Sequence, residues 1–369
     1  MTKARTNASA SPAVGRNMVI NGAMNVAQRS ASVTGIGATT AHYPTLDRWQ
    51  IEASGAGRAT MSQTADGPNG ISANCIKLDC TTADTSIAAG EYFILEQRIE
   101  GQNVQRIGKG VAGAKQVTIS FYVKASASFT FVLEVHQSQH GRSCNKLFDV
   151  TTDWNRIELT FPADVDDGSS PIVDDNAVGI RLFFWLHGGA TWTSGTLQSG
   201  SFVNSVSANR AAGIDSFFSN TANNFFITGV QMEVGPVATE FEQEDFSTTL
   251  ARCQRYFQKQ LATGAAYERF GNGFANTTGN FNTIIPMQVP MRATPAIETT
   301  GTVGNYGVYH ANAVTAATGI AIDGNADGNG KQVGVNIADS NSGFTVGRSG
   351  MFIANNTVAA FIALDAELN

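Results

Sequence analysis

The chain has no cluster of positive charge, no long apolar run and no close cysteine pair. Each absence closes off a class of function. Lys and Arg number 24 against 30 Asp and Glu in 369 residues, for a formal net charge of -6. A binder of nucleic-acid backbone needs a concentrated basic face instead. No apolar stretch approaches the roughly 20 residues that cross a bilayer as a helix, so membrane insertion by a helix is not expected. The start, Met1 to Gly15, is rich in Ala, Ser and Thr with Lys3 and Arg5, and lacks the apolar centre of a secretory signal. Residues 1–16 read as an arm, either flexible or ordered only on docking into an assembly. Cys75, Cys80, Cys144 and Cys253 form no CxxC motif, and no histidine stands at metal-ligand spacing from them. Four buried free thiols are the expectation, as suits a reducing cytoplasm. Charge is sparse overall, 15% of residues. That tendency suits a chain that buries much of its exterior against other subunits.

Catalytic signatures are also missing. His42, His136, His140, His187 and His310 have no nucleophile motif around them. There is no G-x-S-x-G, no H-E-x-x-H and no phosphate-cradling glycine loop. The chain is therefore read as a non-enzyme.

What is present is alternation. Val117, Ile119, Phe121 and Val123 recur at every second position, and so do Phe129, Phe131, Leu133 and Val135 after Lys124–Ser128. The two runs read as an antiparallel hairpin. Ile157, Leu159 and Phe161 follow Trp154. Val178, Ile180, Leu182, Phe184 and Leu186 form the strongest strand, and Phe226 to Val234 ends the region at Gly235-Pro236. Many short strands with 38 glycines in the chain point to a two-sheet antiparallel sandwich of the jelly-roll type over residues 17–244. Trp49 and Trp154 read as core. Asp47 and Arg48 read as a structural ion pair or hydrogen-bond network.

A single helix interrupts the strands. Phe246, Leu250, Cys253 and Phe257 recur at i, i+4, i+7 and i+11, an apolar stripe over a linker helix at 245–260. The stripe packs either between two domains or at the centre of an oligomer. Residues 261–369 then read as a small β domain, with strands near Tyr306–Tyr309, Gly319–Ile322, Val333–Ile337 and Thr357–Leu364. Pro290 and Pro295 exclude a central strand between them. Few bulky side chains imply a thin core, of the kind that symmetric association completes.

A series of short motifs runs through the chain in order. It comprises Asn17–Met24, Gln28-Arg29, Asp47–Trp49, Gln97–Gly101, Thr118–Lys124, Thr228–Gly235, Phe241-Glu242, Cys253–Phe257, Met291–Pro295 and Asp365–Leu368. The series resembles a family of bacteriophage tail-fibre and other virion-associated proteins. The resemblance implies a carbohydrate-binding-module-like jelly roll, a helix and a distal β domain, in a virion structural protein assembled in the host cytoplasm. It implies a homotrimer whose partners are other virion proteins and a host-surface polysaccharide. The module begins near residue 17 with no long shaft before it, so attachment is expected through the short arm or a face of the jelly roll. A capsid-decorating protein with protein contacts only is the alternative, and a glycan-cleaving enzyme a third reading.

Sugars are held by flat aromatic platforms and fixed polar groups. On the strand at 178–187 the odd positions Arg181, Phe183, Trp185 and His187 oppose the apolar row. The strand at 129–136 likewise offers Glu134 and His136. If the two strands share a sheet, Glu134, His136, Arg181, Trp185 and His187 line one groove; the alternative is that a loop or a neighbouring subunit covers this face and Trp185 is packing. Trp192, in a Gly/Thr/Ser-rich loop, is a stacking platform, an interface anchor or a cap on the sandwich end. No cofactor is expected beyond a structural calcium, which jelly-roll modules of the resembled class commonly hold. Its candidate ligands are Asp166, Asp167, Asp174 and Asp175, beside Asp164, in what otherwise reads as a solvated loop. Asp323–Asn329 matches half of a calcium loop but lacks its closing glutamate, and reads as a turn.

Overall fold

The computed structural model describes residues 15–165, 171–262, 264, 266–323 and 332–368. The chain divides into two compact units, Met1–Phe246 and Ser247–Asn369. Both are all-β.

In the first unit the strands are, in chain order, β1 (Ser32–Ile36), β2 (Thr40–His42), β3 (Gln50–Ser54), β4 (Arg58–Thr64), β5 (Cys75–Thr82), β6 (Tyr92–Glu100), β7 (Val117–Ala125), β8 (Phe129–Gln137), β9 (Arg142–Val150), β10 (Asn155–Phe161), β11 (Val178–Gly188), β12 (Val203–Asn204) and β13 (Asn224–Val234). They form a six-stranded sheet ordered β1-β4-β5-β13-β7-β10 and a seven-stranded sheet ordered β12-β9-β8-β11-β6-β3-β2. Every pairing in both sheets is antiparallel. Apolar rows from the two sheets close one core, with Ile119, Phe121 and Val123 of β7 set against Phe131, Leu133 and Phe184. Phe121 meets Phe184 edge-on at 5.2 Å, and Phe131 meets Phe225 edge-on at 5.7 Å. This is the expected sandwich.

Two expectations about these sheets fail. β7 and β8 are not a hairpin: β7 pairs with β10 and β13, and β8 pairs with β9 and β11. Residues 126–128 carry the chain from one sheet to the other. Alternation shows which face of a strand is apolar, not which strand lies beside it. Here two apolar rows face each other across the core. Trp154 is also not core. It is half-buried and meets Phe226 edge-on at 6.3 Å, with the Lys124 ammonium 5.2 Å from its ring centre.

The first motifs of the series turn out to be one structural network. Asn17 donates from Nδ2 to the Val230 carbonyl and accepts from the Val19 and Met232 amides. Asn21, at φ 58°, ties its side chain to Val26 and to the Asp47 carbonyl. Trp49 donates from Nε1 to the Asn21 carbonyl at 3.1 Å, and Gln97 brackets the Ile20 backbone from both sides. A Cβ on Gly22 would sit 2.1 Å from the Val230 carbonyl oxygen, so only glycine permits this approach. Asp47 and Arg48 are fully buried; Asp47 accepts from the Gln28 amide and Arg48 donates to the Arg98 carbonyl.

The second unit has a three-stranded sheet of Phe257–Leu261, Phe361–Asp365 and Ala296–Glu298, and a seven-stranded sheet. The larger sheet includes Arg269–Thr277, Asn280–Pro286, Tyr306–His310 and Ser349–Ala354. Ile362 and Leu364 of the small sheet share a core with Phe270, Phe281, Tyr306, Phe344 and Phe352. Five aromatic rings make it fuller than the expected thin core. The helix spans Phe246–Gln254 and no further. Phe257 therefore ends no helical stripe; it opens a strand paired with Phe361–Asp365. Period alone missed this because the i+11 position of a helix coincides with an inward position of the strand. Cys253 and Phe257 are buried, Leu250 is half-buried and Phe246 is 58% exposed. All four cysteines are free and buried.

Candidate functional site

The outward face of the seven-stranded sheet in the first unit is built from five adjacent strands. Antiparallel pairing sets Arg181 opposite both Arg98 and His136, Phe183 opposite Glu96 and Glu134, and Trp185 opposite Ile94 and Val132. β3 adds Glu52 opposite Ile94, and β9 adds Ser143 and Asn145 opposite His136 and Glu134. Glu134, His136, Arg181 and Trp185 are thus brought onto one face as expected.

His187 is not. A register shift between Trp185 and His187 pairs His187 with Phe93, whose ring lies in the sandwich core. The alternation of β11 breaks at that bulge, and a bulge is invisible to strict parity. The His187 ring meets Phe218 edge-on at 5.3 Å, away from the groove.

Two like charges directly opposite each other would repel, and Arg98 with Arg181 is such a pair. Two carboxylates resolve the conflict. Arg181 donates to Glu96 from Nε and, at 3.0 Å, from Nη2, and reaches Glu52 at 2.6 Å. Arg98 donates to the same Glu96 oxygen at 3.0 Å. The Tyr92 hydroxyl adds a bond to Glu52. Its pKa is raised, first by burial and then by the Glu52 charge.

The segment following β11 lies across part of this face. A single helical turn, Ala190–Thr193, sets the Trp192 ring 5.4 Å from both Trp185 and Tyr92. Arg210 donates to both Glu134 oxygens at 3.0 Å, and its guanidinium lies 5.0 Å over Phe183 and 4.9 Å over Trp185. Ser205 bonds His136 at 3.3 Å, and Asn145 donates to the Arg210 carbonyl at 2.9 Å. Burial would raise the Glu134 pKa, but the His136 hydrogen bond and the Arg210 charge hold it below the ordinary value.

Glu134 and Trp185 are consequently fully buried. They are the floor of the site, corrected from its expected surface. Glu52, Tyr92, His136, Arg181, Trp192 and Arg210 stay half-exposed around it. Sequence reasoning placed Phe183 on this face but missed Glu52, Glu96, Arg98, Tyr92 and Arg210. The even positions of β6 run Tyr92, Ile94, Glu96, Arg98, a mixed polar row that parity could have flagged. Arg210 sits in a loop and left no periodic signal.

The calcium candidates do not converge on a site among the described residues. Asp164 is taken by Arg142 at 3.0 Å, Asp175 accepts from the Ala177 amide, and Asp174 is exposed. Asp166 and Asp167 lie outside the described residues, as do residues 324–331 of the loop at Asp323–Asn329 and residues 1–14 of the arm. Among the described residues no helix is long and apolar enough to cross a membrane.

No protein-family model and no curated protein matches this chain. Solved structures do. An enzymatically active domain of tailspike protein 4 from bacteriophage CBA120 is 12% identical, with 60% of this chain and 22% of that chain covered, at a TM-score of 0.30. This chain thus spans about a fifth of that one. A sugar-binding protein of Bacteroides thetaiotaomicron, so described as putative, is 14% identical over 59% of this chain and 100% of that one, at 0.30. The carbohydrate-binding module TmCBM61, solved with beta-1,4-galactotriose, is 10% identical over 60% and 99%, at 0.28. At these scores the likeness carries no argument, and the function rests on the geometry of the site.

Proposed function

We propose that the first unit binds a neutral glycan on the outward face of its seven-stranded sheet, as part of a virion protein of the tail-fibre or appendage type. One observation carries the glycan reading. Two half-exposed rings, Tyr92 and Trp192, meet edge-to-face at 5.4 Å beside the Glu52–Arg181 pair, whose bond is 2.6 Å long. Rings offer an apolar platform to the C–H face of a sugar; fixed carboxylate and guanidinium groups offer acceptors and donors to its hydroxyls. Arg98, Arg181 and Arg210 are matched by Glu52, Glu96 and Glu134, so the site carries no surplus charge to select an anion. The carboxylates are held by guanidinium groups, which supports binding over hydrolysis. The virion role rests on the motif series, and the host-surface polysaccharide is the ligand that role would need.

Titration of the intact protein on an array of bacterial surface polysaccharides tests it. Trp192→Ala removes a half-exposed ring and leaves the buried floor in place. Binding should fall at least tenfold with the melting temperature little changed. Equal binding by the variant, or none by the parent, removes the reading. Locating the chain in a density map of the particle tests the virion role.

A second reading, a decorating protein with protein contacts only, is favoured by a different surface. In the second unit Phe274, Ile284, Tyr267 and Tyr309 are 52%, 48%, 50% and 38% exposed. Phe274 and Ile284 share the outward face of their strand pair. Apolar exposure of this density suits assembly. The homotrimer is proposed on that ground, with Phe246 and Leu250 as further contacts. Sedimentation of the parent and of Phe274→Ser/Ile284→Ser decides; a monomeric parent removes it.

A further inference from the structure

At one end of the sandwich, outside the groove, Asp84, Glu91 and His187 bring one ligand atom each to within 4.8 Å of one another. We infer that this trio is a binding site for a divalent transition cation of the zinc type, fixing the loop before β6 to the end of β11. Two buried atoms point to it. His187 is 1% exposed and Asp84 5%, and neither His187 Nε2 nor Asp84 Oδ2 has a hydrogen-bond partner. The two atoms face each other at 4.0 Å, too far for a hydrogen bond and close enough to flank an ion. Buried polar atoms are almost always satisfied, and an orphaned pair calls for a bridging species.

The surroundings prepare the ligands. His187 Nδ1 lies 2.8 Å from Ser216 Oγ, so the ring is oriented and its second nitrogen is left to coordinate. Asp84 accepts from the Ser86 amide through Oδ1, leaving Oδ2 to the site. Glu91 accepts from the Ala88 amide at 2.8 Å, and the Gly189 amide donates to the Glu91 carbonyl at 2.8 Å. The loop is thus pinned on both sides. Glu91 is half-buried, so a coordination position remains open to water.

Ligand chemistry selects the ion. Calcium and magnesium take shells of oxygen, whereas an imidazole with two carboxylates suits zinc, with water as fourth ligand. Zinc bonds of about 2.0–2.2 Å at tetrahedral angles put ligand atoms roughly 3.4 Å apart. The 4.0 Å gap closes to that with a small side-chain rotation. Two carboxylates balance the two charges of the ion, so the buried assembly is neutral.

The experiment uses the full chain without a histidine tag, stripped with chelator and titrated with zinc by calorimetry. One zinc per chain should bind, with equal calcium failing to displace it, and zinc should raise the melting temperature. Cobalt loading should give ligand-field absorption without thiolate charge-transfer bands, which separates this site from the four cysteines. Glu91→Gln keeps the acceptor for Ala88 and should weaken zinc at least tenfold; His187→Gln should abolish binding. If His187→Gln does not fold, Glu91→Gln decides alone. No stoichiometric zinc on the folded parent, undiminished affinity in Glu91→Gln, or thiolate bands in the cobalt form would overturn the assignment and leave a water-bridged His–Asp pair.

Discussion

The Trp185 indole donates from Nε1 to Glu134 Oε2 at 2.7 Å, with both side chains fully buried. The same carboxylate receives Arg210 on both oxygens, each at 3.0 Å. A charge buried this deeply is stable only while its partners remain.

Removing the two donors should therefore have unequal costs. Trp185→Phe deletes one hydrogen bond from a neutral donor to the carboxylate, at about 1.5–3 kcal/mol. Arg210→Met strips the counter-charge from a buried carboxylate, at about 3–5 kcal/mol. Urea unfolding of both variants checks the order. A smaller cost for Arg210→Met would mean that Glu134 does not depend on the covering segment.

Acid should weaken the fold before most carboxylates titrate. Burial lowers the pKa of His42, with Arg29 adding to it, and burial lowers that of His187 against the pull of Asp84. Below the ordinary histidine value of about 6.5 the unfolded chain takes up these protons first. Stability should fall as pH drops from there through the lowered values, then again as Glu134, whose pKa is also depressed, is protonated. Chemical denaturation between pH 7.5 and 5, each about half a unit apart, reads the slope; a flat profile in metal-free buffer would contradict the histidine burial.

Thiol chemistry should be silent in the native state. Burial pushes Cys75 up to about 12 and Cys144 up to about 11. The thiolate is the reactive form, so a disulfide-exchange reagent should titrate none of the four thiols near neutral pH and all of them in denaturant. Between about pH 8.5 and those values the unfolded chain loses protons that the folded chain keeps, so alkali should destabilise the fold across that window.

Gly22→Ala places a Cβ 2.1 Å from the Val230 carbonyl oxygen, which no rotamer change relieves. The Val230 amide also bonds the Gly22 carbonyl at 3.0 Å, so the two segments cannot part without losing that contact. A loss of about 2–4 kcal/mol is expected, a large effect for one methyl group. A calorimetric melt of the variant checks it; an unchanged midpoint would mean the N-terminal segment is not held there.

Much of the sandwich was legible because side-chain period in a strand is a local property. The rows Ile119/Phe121/Val123 and Ile180/Leu182/Phe184 declared their buried faces, and Arg181, Trp185, Glu134 and His136 fell on one outward face as parity required. Which strands lie beside each other is not local. Residues 124–128 read as a hairpin turn, yet 126–128 join two sheets, because a turn sequence does not encode whether the next strand pairs or crosses.

The chain's composition and alternation by themselves determined an all-β protein with buried thiols and one short helix. Only the tertiary structure decided what the outward face of the sheet became. The segment from Trp192 to Arg210 closed over Trp185 and Glu134, and a single bulge turned His187 toward Asp84 instead of the groove. Both outcomes depend on contacts between residues far apart in sequence, where loop closure and packing, not period, set the geometry.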